Sequence, residues 1–259
     1  MISADEFKKV FKSLGIKKSN NVFIHASLKN FGPIVNHAHD IIDPLLQLIG
    51  KDGTLLCSSN TGNITDPKYW KCPSVKNFEV MRKKIRLFDA SSSLPYNRGK
   101  LAETFFSYKD VKRSNHPLRS ITAMGRSANY FTSTHPLHDP EGKKSPLYKF
   151  YKKKNSLALL IGVNLNVCSV MHVAENIADV NYLYKNNCKV LVNDKNKRKF
   201  LKIKKISFAQ NFSNIQNELI KLNVIKKKKL KGQYIYLVNV KECIDVSIKK
   251  LGQNESFFL

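Results

Sequence analysis

Acidic residues are scarce in this 259-residue chain: 19 Asp and Glu stand against 45 Lys and Arg, a formal net charge of +26. Long apolar runs are missing as well. No stretch approaches the roughly 20 residues that cross a bilayer as a helix. The opening Met1-Ile2-Ser3-Ala4-Asp5-Glu6 has no basic region leading into an apolar one, so neither a membrane span nor a secretory signal is expected. The five cysteines, Cys57, Cys72, Cys168, Cys188 and Cys243, are odd in number and no pair is close in sequence. That argues against a disulfide framework or a zinc knuckle and for a reducing, cytoplasmic setting. Also missing are a Gly-x-Ser-x-Gly nucleophile elbow, a Gly-x-x-x-x-Gly-Lys phosphate loop and the second histidine of a His-Glu-x-x-His zinc site. Hydrolase, nucleoside-triphosphatase and zinc-protease chemistry of those kinds lose their support.

A hydrophobic content of 42% is enough for a real core, and residues 1–259 read as a single domain. The positive surplus first suggests nucleic acid. Its lysines are nonetheless scattered, with short runs at 152–154 and 226–229, and Lys dominates Arg, the residue that best reads base edges. Attraction of small anions is the better account. A non-enzymatic, basic nucleic-acid-binding domain remains the competing class.

Ser3 and Glu6 form a capping box for a helix over Phe7, Val10, Phe11 and Leu14, with Gly15 as its stop. Asn21–His25, Thr54–Cys57 and Leu157–Val163 are apolar strand candidates, the last without charge. Helices are expected over His39–Ile49, where Pro44 is an objection, from Leu101 to Phe106, from Ile121 to Thr132, and from His172 to about Leu183. Lys189–Val192 and Phe200–Phe208 flank a polar turn and predict a hairpin. Tyr234–Val240 reads as a late strand and Glu242–Leu251 as a closing helix. Residues 58–100 are polar and irregular, the composition of binding walls. The whole predicts one mixed α/β domain with a small antiparallel elaboration.

Two segments concentrate ionisable and small side chains. Ser169-x-x-His172-x-x-Glu175 places a histidine and a carboxylate on one helix face, suiting either a general base with its orienting partner or a helix-terminal salt bridge. His116-Pro117-x-x-Ser120-x-x-Ala123-x-Gly125 offers small residues where a ligand could approach the backbone, or a tight packing seam. His135 and His138 beside Asp139 lack the further ligands of a metal site. Cys168 reads as a buried structural thiol rather than a nucleophile.

Taken in order, the chain resembles the aminoglycoside 3-N-acetyltransferase family. The resemblance runs through Val22-Phe23-Ile24-His25-Ala26-Ser27-Leu28 with Gly32, then Asp52-Gly53-Thr54-Leu55 and Gly99-x-Leu101-x-Glu103-x-Phe105. It continues in Arg113-Ser114-Asn115-His116-Pro117 with Ser120, Ala123 and Gly125, in His135 and Ser145-Pro146, and in Gly162 and Ser169–Glu175. It implies a mixed-sheet acyltransferase fold distinct from the common GNAT fold, acetyl-coenzyme A as donor, an amine acceptor and direct transfer in a ternary complex. His172 would be the base, Glu175 its support and His116 a second ionisable group. Ser27, Leu28, Ser120, Ala123, Gly125 and Ser169 would lie near the coenzyme. Ser169 stands where the family usually has Thr, Cys168 where it has a short polar residue, and the lysine-rich C-terminal half matches poorly.

Charge bears on the acceptor. Aminoglycosides are polycations that favour an acidic cleft, which Asp66, Asp89, Asp139, Glu141 and Asp179 could supply locally. The overall field instead favours an anionic acceptor, such as a nucleotide-linked amino sugar destined for surface polysaccharide. An aminoglycoside antibiotic, acetylated to give resistance, is the alternative. A homodimer stays open.

Overall fold

The computed structural model describes residues 1–70 and 77–259; Cys72 lies outside the described residues. Its elements run α1 (Ala4–Leu14), β1 (Asn21–Ala26), α2 (His39–Ile49), β2 (Thr54–Ser58), α3 (Phe78–Lys84), α4 (Lys100–Phe106), β3 (Lys112–Arg113) and β4 (Ile121–Gly125). They continue with α5 (Ala128–Thr132), α6 (Pro146–Lys152), β5 (Ser156–Ile161), α7 (His172–Ala178), β6 (Lys189–Asp194) and β7 (Lys197–Lys202). Last come α8 (Gln216–Lys221), β8 (Ile225–Leu230), β9 (Gln233–Asn239) and α9 (Val240–Gln253).

Local chemistry starts and stops these elements. The Ser3 hydroxyl accepts the Glu6 N–H, the Glu6 carboxylate accepts the Ser3 N–H, and Gly15 at φ 110° closes α1. Pro44 sits inside α2, where its ring costs a backbone hydrogen bond, but Ile41, Ile42, Leu45 and Ile49 are buried and hold the helix down.

Among the described residues seven strands form one sheet in the order β3-β4-β2-β1-β5-β9-β8, and β6 and β7 form a separate hairpin. β2, β1 and β5 are mutually parallel, while β4 and β9 pair antiparallel on either side of them. Both faces of the parallel strands are covered, which explains their nearly unbroken apolar sequences. On one face Val22, Ile24, Leu55, Leu159 and Ile161 pack against α1, α2 and α4. On the other, Phe23, Leu56, Ala158 and Leu160 meet α5, α6, α7 and α9.

The chain leaving β1 thus enters α2 on one face, and the chain leaving β5 enters α7 on the opposite face. Adjacent parallel strands whose connections part in this way open a crevice at their carboxyl ends, the usual ligand position in such sheets.

Three expectations need correction. Ile121–Thr132 is a strand followed by a five-residue helix. Ile121 and Thr122 are β-branched, the strand is fully paired to β2, and Gly125 at φ 117° passes so close to the Gly53 carbonyl that helical geometry is excluded. The helix from His172 stops at Ala178 because Asp179 turns left-handed (φ 54°), and a 3-10 turn over Asn181–Tyr184 follows. The second hairpin strand ends at Lys202; beyond it Ile203 and Ile206 fold inward to a small core with Leu118 and Val190.

Candidate active site

The 3-10 turn Ser169–Met171 runs directly into α7, so His172 begins the helix and Glu175 sits one turn on. Glu175 Oε2 lies 2.6 Å from His172 Nδ1. Glu175 Oε1 accepts the Tyr182 hydroxyl at 2.5 Å and the Ser207 hydroxyl at 2.8 Å. Burial alone would raise this carboxyl, but His172 and these two hydroxyl donors outweigh it and hold the pKa below its ordinary value. A buried carboxylate with its acceptors filled fixes one tautomer: Nδ1 carries the proton and Nε2 keeps its lone pair. Phe212 meets the imidazole edge-on at 5.2 Å between centroids and limits its rotation.

His172 lines a cavity of about 740 Å³ with Ser169, Asn60, Thr65, Arg119 and Phe208 among its walls. A second cavity of about 530 Å³ is lined by Ser27, Leu28, Lys29, Ser58 and Lys100 at the carboxyl ends of β1 and β2. Arg98 and Val167 line both. Where the two approach, the Ser58 and Ser169 hydroxyls are 3.1 Å apart. The Ser169 N–H donates to His25 Nε2 at 3.3 Å, and the His25 ring stacks on Phe23 at 4.9 Å. Burial, with Arg98 and His172 nearby, pushes His25 down to about 3, so it is a neutral acceptor that positions Ser169.

The structure therefore gathers His172, Glu175, Ser169, Ser27 and Leu28 around adjoining cavities. It does not bring His116 to them. His116 is fully buried: its Nδ1 accepts the N–H groups of Leu118 (3.1 Å) and Arg119 (2.9 Å), and Nε2 faces the Leu137 carbonyl at 3.3 Å. Burial drives its pKa to about 3. A neutral histidine with both nitrogens engaged holds the turn that presents Leu118 and Arg119 to the cavity.

Ser120, Ala123 and Gly125 also stay away from the cavities around His172 and Ser27. The Ser120 hydroxyl donates to the Ser59 carbonyl at 2.7 Å and accepts from Arg113 Nε at 3.1 Å. Ala123 is buried opposite Leu56, and Gly125 pairs with Thr54 at the other end of β2. The small residues there meet a packing need.

Nor do the five acids form an acidic pocket. Asp66 pairs with Arg82, Asp89 caps the Ser91–Ser92 turn, Asp139 accepts from Asn176, Glu141 is buried behind Arg119, and Asp179 pairs with Lys205. His135 is tied to Ser114 and Pro140, and His138 to Lys202; among the described residues no group of three or more His, Cys, Asp or Glu side chains is placed to hold a metal. Burial pushes the Cys168 thiol up to about 12, far from a thiolate at neutral pH.

Sequence reasoning missed Ser58, Arg98, Tyr182 and Ser207. Ser58 ends a strand at the crevice, a position that could have been marked. Tyr182 and Ser207 reach Glu175 only through the fold.

A carboxylate-oriented histidine at one cavity, beside a second cavity lined by Ser27 and Ser58, is an arrangement suited to group transfer. The model for aminoglycoside 3-N-acetyltransferase matches residues 23–252, and the chain belongs to that family. It is accordingly an acetyl-CoA-dependent N-acyltransferase. It is 29% identical to the Bacillus subtilis (strain 168) "SPbeta prophage-derived aminoglycoside N(3')-acetyltransferase-like protein YokD" over 95% of this chain and 90% of that protein. It is 30% identical to the Serratia marcescens aminoglycoside N(3)-acetyltransferase III, over 64% of this chain and 61% of the relative. The crystal structure of YokD superposes with a TM-score of 0.83 at 26% identity, covering 98% of this chain and all of that one. The structure titled AAC-IIIb binary with CoASH shares the fold, with a TM-score of 0.82 at 20% identity over 97% of each chain. No helix among the described residues is long and apolar enough to cross a membrane.

Proposed function

We propose that residues 1–259 act as one domain that moves the acetyl group of acetyl-CoA to a primary amine of an amino sugar, with His172 as the general base. The observation that carries this is the His172 Nδ1–Glu175 bond at the wall of one cavity, adjoining a second cavity lined by Ser27 and Leu28.

The second cavity suits a long phosphate-bearing thioester: Ser27 and Leu28 sit beyond the end of β1, and Lys29 and Lys100 stand at its sides. When bound, the coenzyme supplies an activated acetyl carbonyl. His172 Nε2 takes a proton from the amine as its nitrogen bonds to the acetyl carbon. The carbon–sulfur bond breaks, and His172 returns the proton to the leaving sulfur, giving an amide and a free thiol. Glu175 holds the imidazole in its tautomer and stabilises the imidazolium between the two transfers. Ser169 and Ser58 are the hydroxyl donors available for the charge that builds on the carbonyl oxygen.

The relatives' names, aminoglycoside acetyltransferases, support an aminoglycoside ring amine ahead of the nucleotide-linked sugar that the charge balance suggests. Aminoglycosides are the first acceptors to assay. A phosphate-bearing amino sugar is the second reading, favoured by one observation: among the described residues, the Lys, Arg, Asp and Glu side chains lining the His172 cavity are Arg98, Arg119 and Lys189. Thiol release from acetyl-CoA across a panel of both classes tests the function. Turnover in the wild type and its loss in His172→Ala is the expected result; turnover surviving in His172→Ala removes His172 from the role.

A further inference from the structure

Glu175 relies on a serine that sits in no helix or strand. Ser207 lies beyond β7 in an irregular stretch tied down at either end. The Ile206 N–H donates to the Leu183 carbonyl at 3.0 Å, and the Asn211 N–H donates to the Phe258 carbonyl at 3.2 Å. Within the stretch, the Ala209 N–H donates to the Ser207 hydroxyl at 3.0 Å. A hydroxyl has a single proton to give, and with Ala209 on a lone pair that proton goes to Glu175 Oε1, 2.8 Å away.

Arg119 supplies the anchor between the two ties. It stands 88 residues earlier, in the turn between β3 and β4. Its Nη2 donates to the Ser207 carbonyl at 2.6 Å, and its guanidinium lies 5.2 Å from the centre of the ring of Phe208, the next residue. On another edge of the same plane, Nε is 3.3 Å from Glu141 Oε1, outside hydrogen-bonding geometry. Glu141 is only 2% exposed, and among the described residues neither of its oxygens has a hydrogen-bond partner. A carboxylate buried in that way needs a fixed countercharge, and Arg119 provides it. The backbone of Arg119 is held in turn, its N–H donating to His116 Nδ1 at 2.9 Å. One planar guanidinium thus faces a carboxylate with one edge and a carbonyl with another, a span that the point charge of a lysine does not reproduce.

We propose that Arg119 is a positioning residue for His172. By gripping the Ser207 carbonyl it fixes the hydroxyl that holds Glu175, and through Glu175 it fixes the imidazole. His116 and Glu141 act one step further back, as the supports of Arg119. The effect on rate rests on the acetyl-transfer reading; the effect on the His172 proton does not.

The test is a double-mutant cycle on the full chain with Arg119→Lys, Ser207→Ala and the two combined. Arg119→Lys keeps a cation opposite Glu141 and removes the fork. Should that chain fail to fold, Arg119→Gln combined with Glu141→Gln takes its place, since it strands no charge. Two quantities are read. One is kcat and KM for thiol release from acetyl-CoA with kanamycin and with glucosamine. The other is the solvent-exchange rate of the His172 Nδ1 proton in chain labelled with 15N-histidine, its signal assigned by its loss in His172→Ala.

Each single change is expected to lower kcat by about five- to tenfold, leave both KM values within about twofold, and speed the exchange by a similar factor. The combined variant should lose no more than the worse single one, because both changes cut the same chain of contacts. Losses that multiply overturn the proposal, as does a Nδ1 proton that exchanges at the wild-type rate in the Arg119 variant. A rise in the acceptor KM with kcat unchanged makes Arg119 a substrate contact and equally overturns it. Faster exchange that does not accumulate, in a chain that acetylates neither amine, supports the role of Arg119 and counts against the acetyl-transfer reading. Wild-type turnover with multiplying losses does the reverse.

Discussion

Glu175 and His172 are joined by a 2.6 Å bond from carboxylate to Nδ1, and the carboxylate's other oxygen is filled by Tyr182 and Ser207. The histidine is thereby set with one nitrogen toward protein and one toward the cavity. His172→Ala should lower kcat by about 10²- to 10⁴-fold, the range of a positioned general base. Glu175→Gln should lose less, about tenfold or more, because the ring survives without its fixed tautomer. Steady-state kinetics check both, with coenzyme binding measured separately by calorimetry. A His172→Ala protein that no longer binds the coenzyme would point to structural damage instead.

Ser169 lies where the two cavities approach, its hydroxyl on Ser58 and its N–H on His25. If that hydroxyl meets the developing oxyanion, Ser169→Ala should cut kcat by about 10²-fold, with a small effect on the KM for acetyl-CoA. Ser169→Thr should restore most of the rate. A substitution that changes only KM would make the serine a binding residue.

Gly125 separates a packing role from a coenzyme role. At φ 117° and against the Gly53 carbonyl, a Cβ there is both strained and obstructed. Gly125→Ala should destabilise the fold by about 2–4 kcal/mol in urea melts while the folded fraction keeps its acetyl-CoA KM. A raised KM with unchanged stability would reinstate the coenzyme role.

Stability should fall on the acid side of neutrality. Burial holds His25 and His116 down at about 3, and His135 well below its ordinary value, whereas in the unfolded chain each titrates near 6.5. As pH drops from about 6.5 toward 3, the unfolded state takes up protons that the folded state refuses, so the balance shifts toward unfolding. Each histidine contributes a slope of about 1.4 kcal/mol per pH unit in that window. Glu141, raised by burial, works in the opposite sense, and Glu175, held low, adds to the loss at more acid pH. Urea midpoints at pH 7 and pH 5 check this; equal midpoints would contradict it.

The sequence exposed what is local. The parallel strands showed as apolar runs because both faces of each are buried, and the His172–Glu175 bond showed because three residues on a helix are neighbours. The strand β4 was hidden: buried on both faces, it carries no alternation to distinguish it from a helix. Strand β8 was hidden for the opposite reason, since four consecutive lysines read as a solvated charge run. His116 misled because a histidine beside proline and small residues suits a ligand site and a tight turn equally, and only burial distinguishes them. Arg98 sits in an irregular stretch where no spacing rule predicts which way a side chain is drawn.

Those lysines also account for part of the positive surplus without any ligand. Lys226–Lys229 are exposed on β8, the last strand of the sheet, and Lys227 and Lys229 lie over the ring of Tyr234 on its neighbour. An unpaired strand edge is an invitation to another chain. Four adjacent ammonium groups answer it with mutual repulsion, since a second copy zipping on would bring its own charges alongside. The sheet is therefore closed to growth at this margin by charge, much as a barrel is closed by geometry.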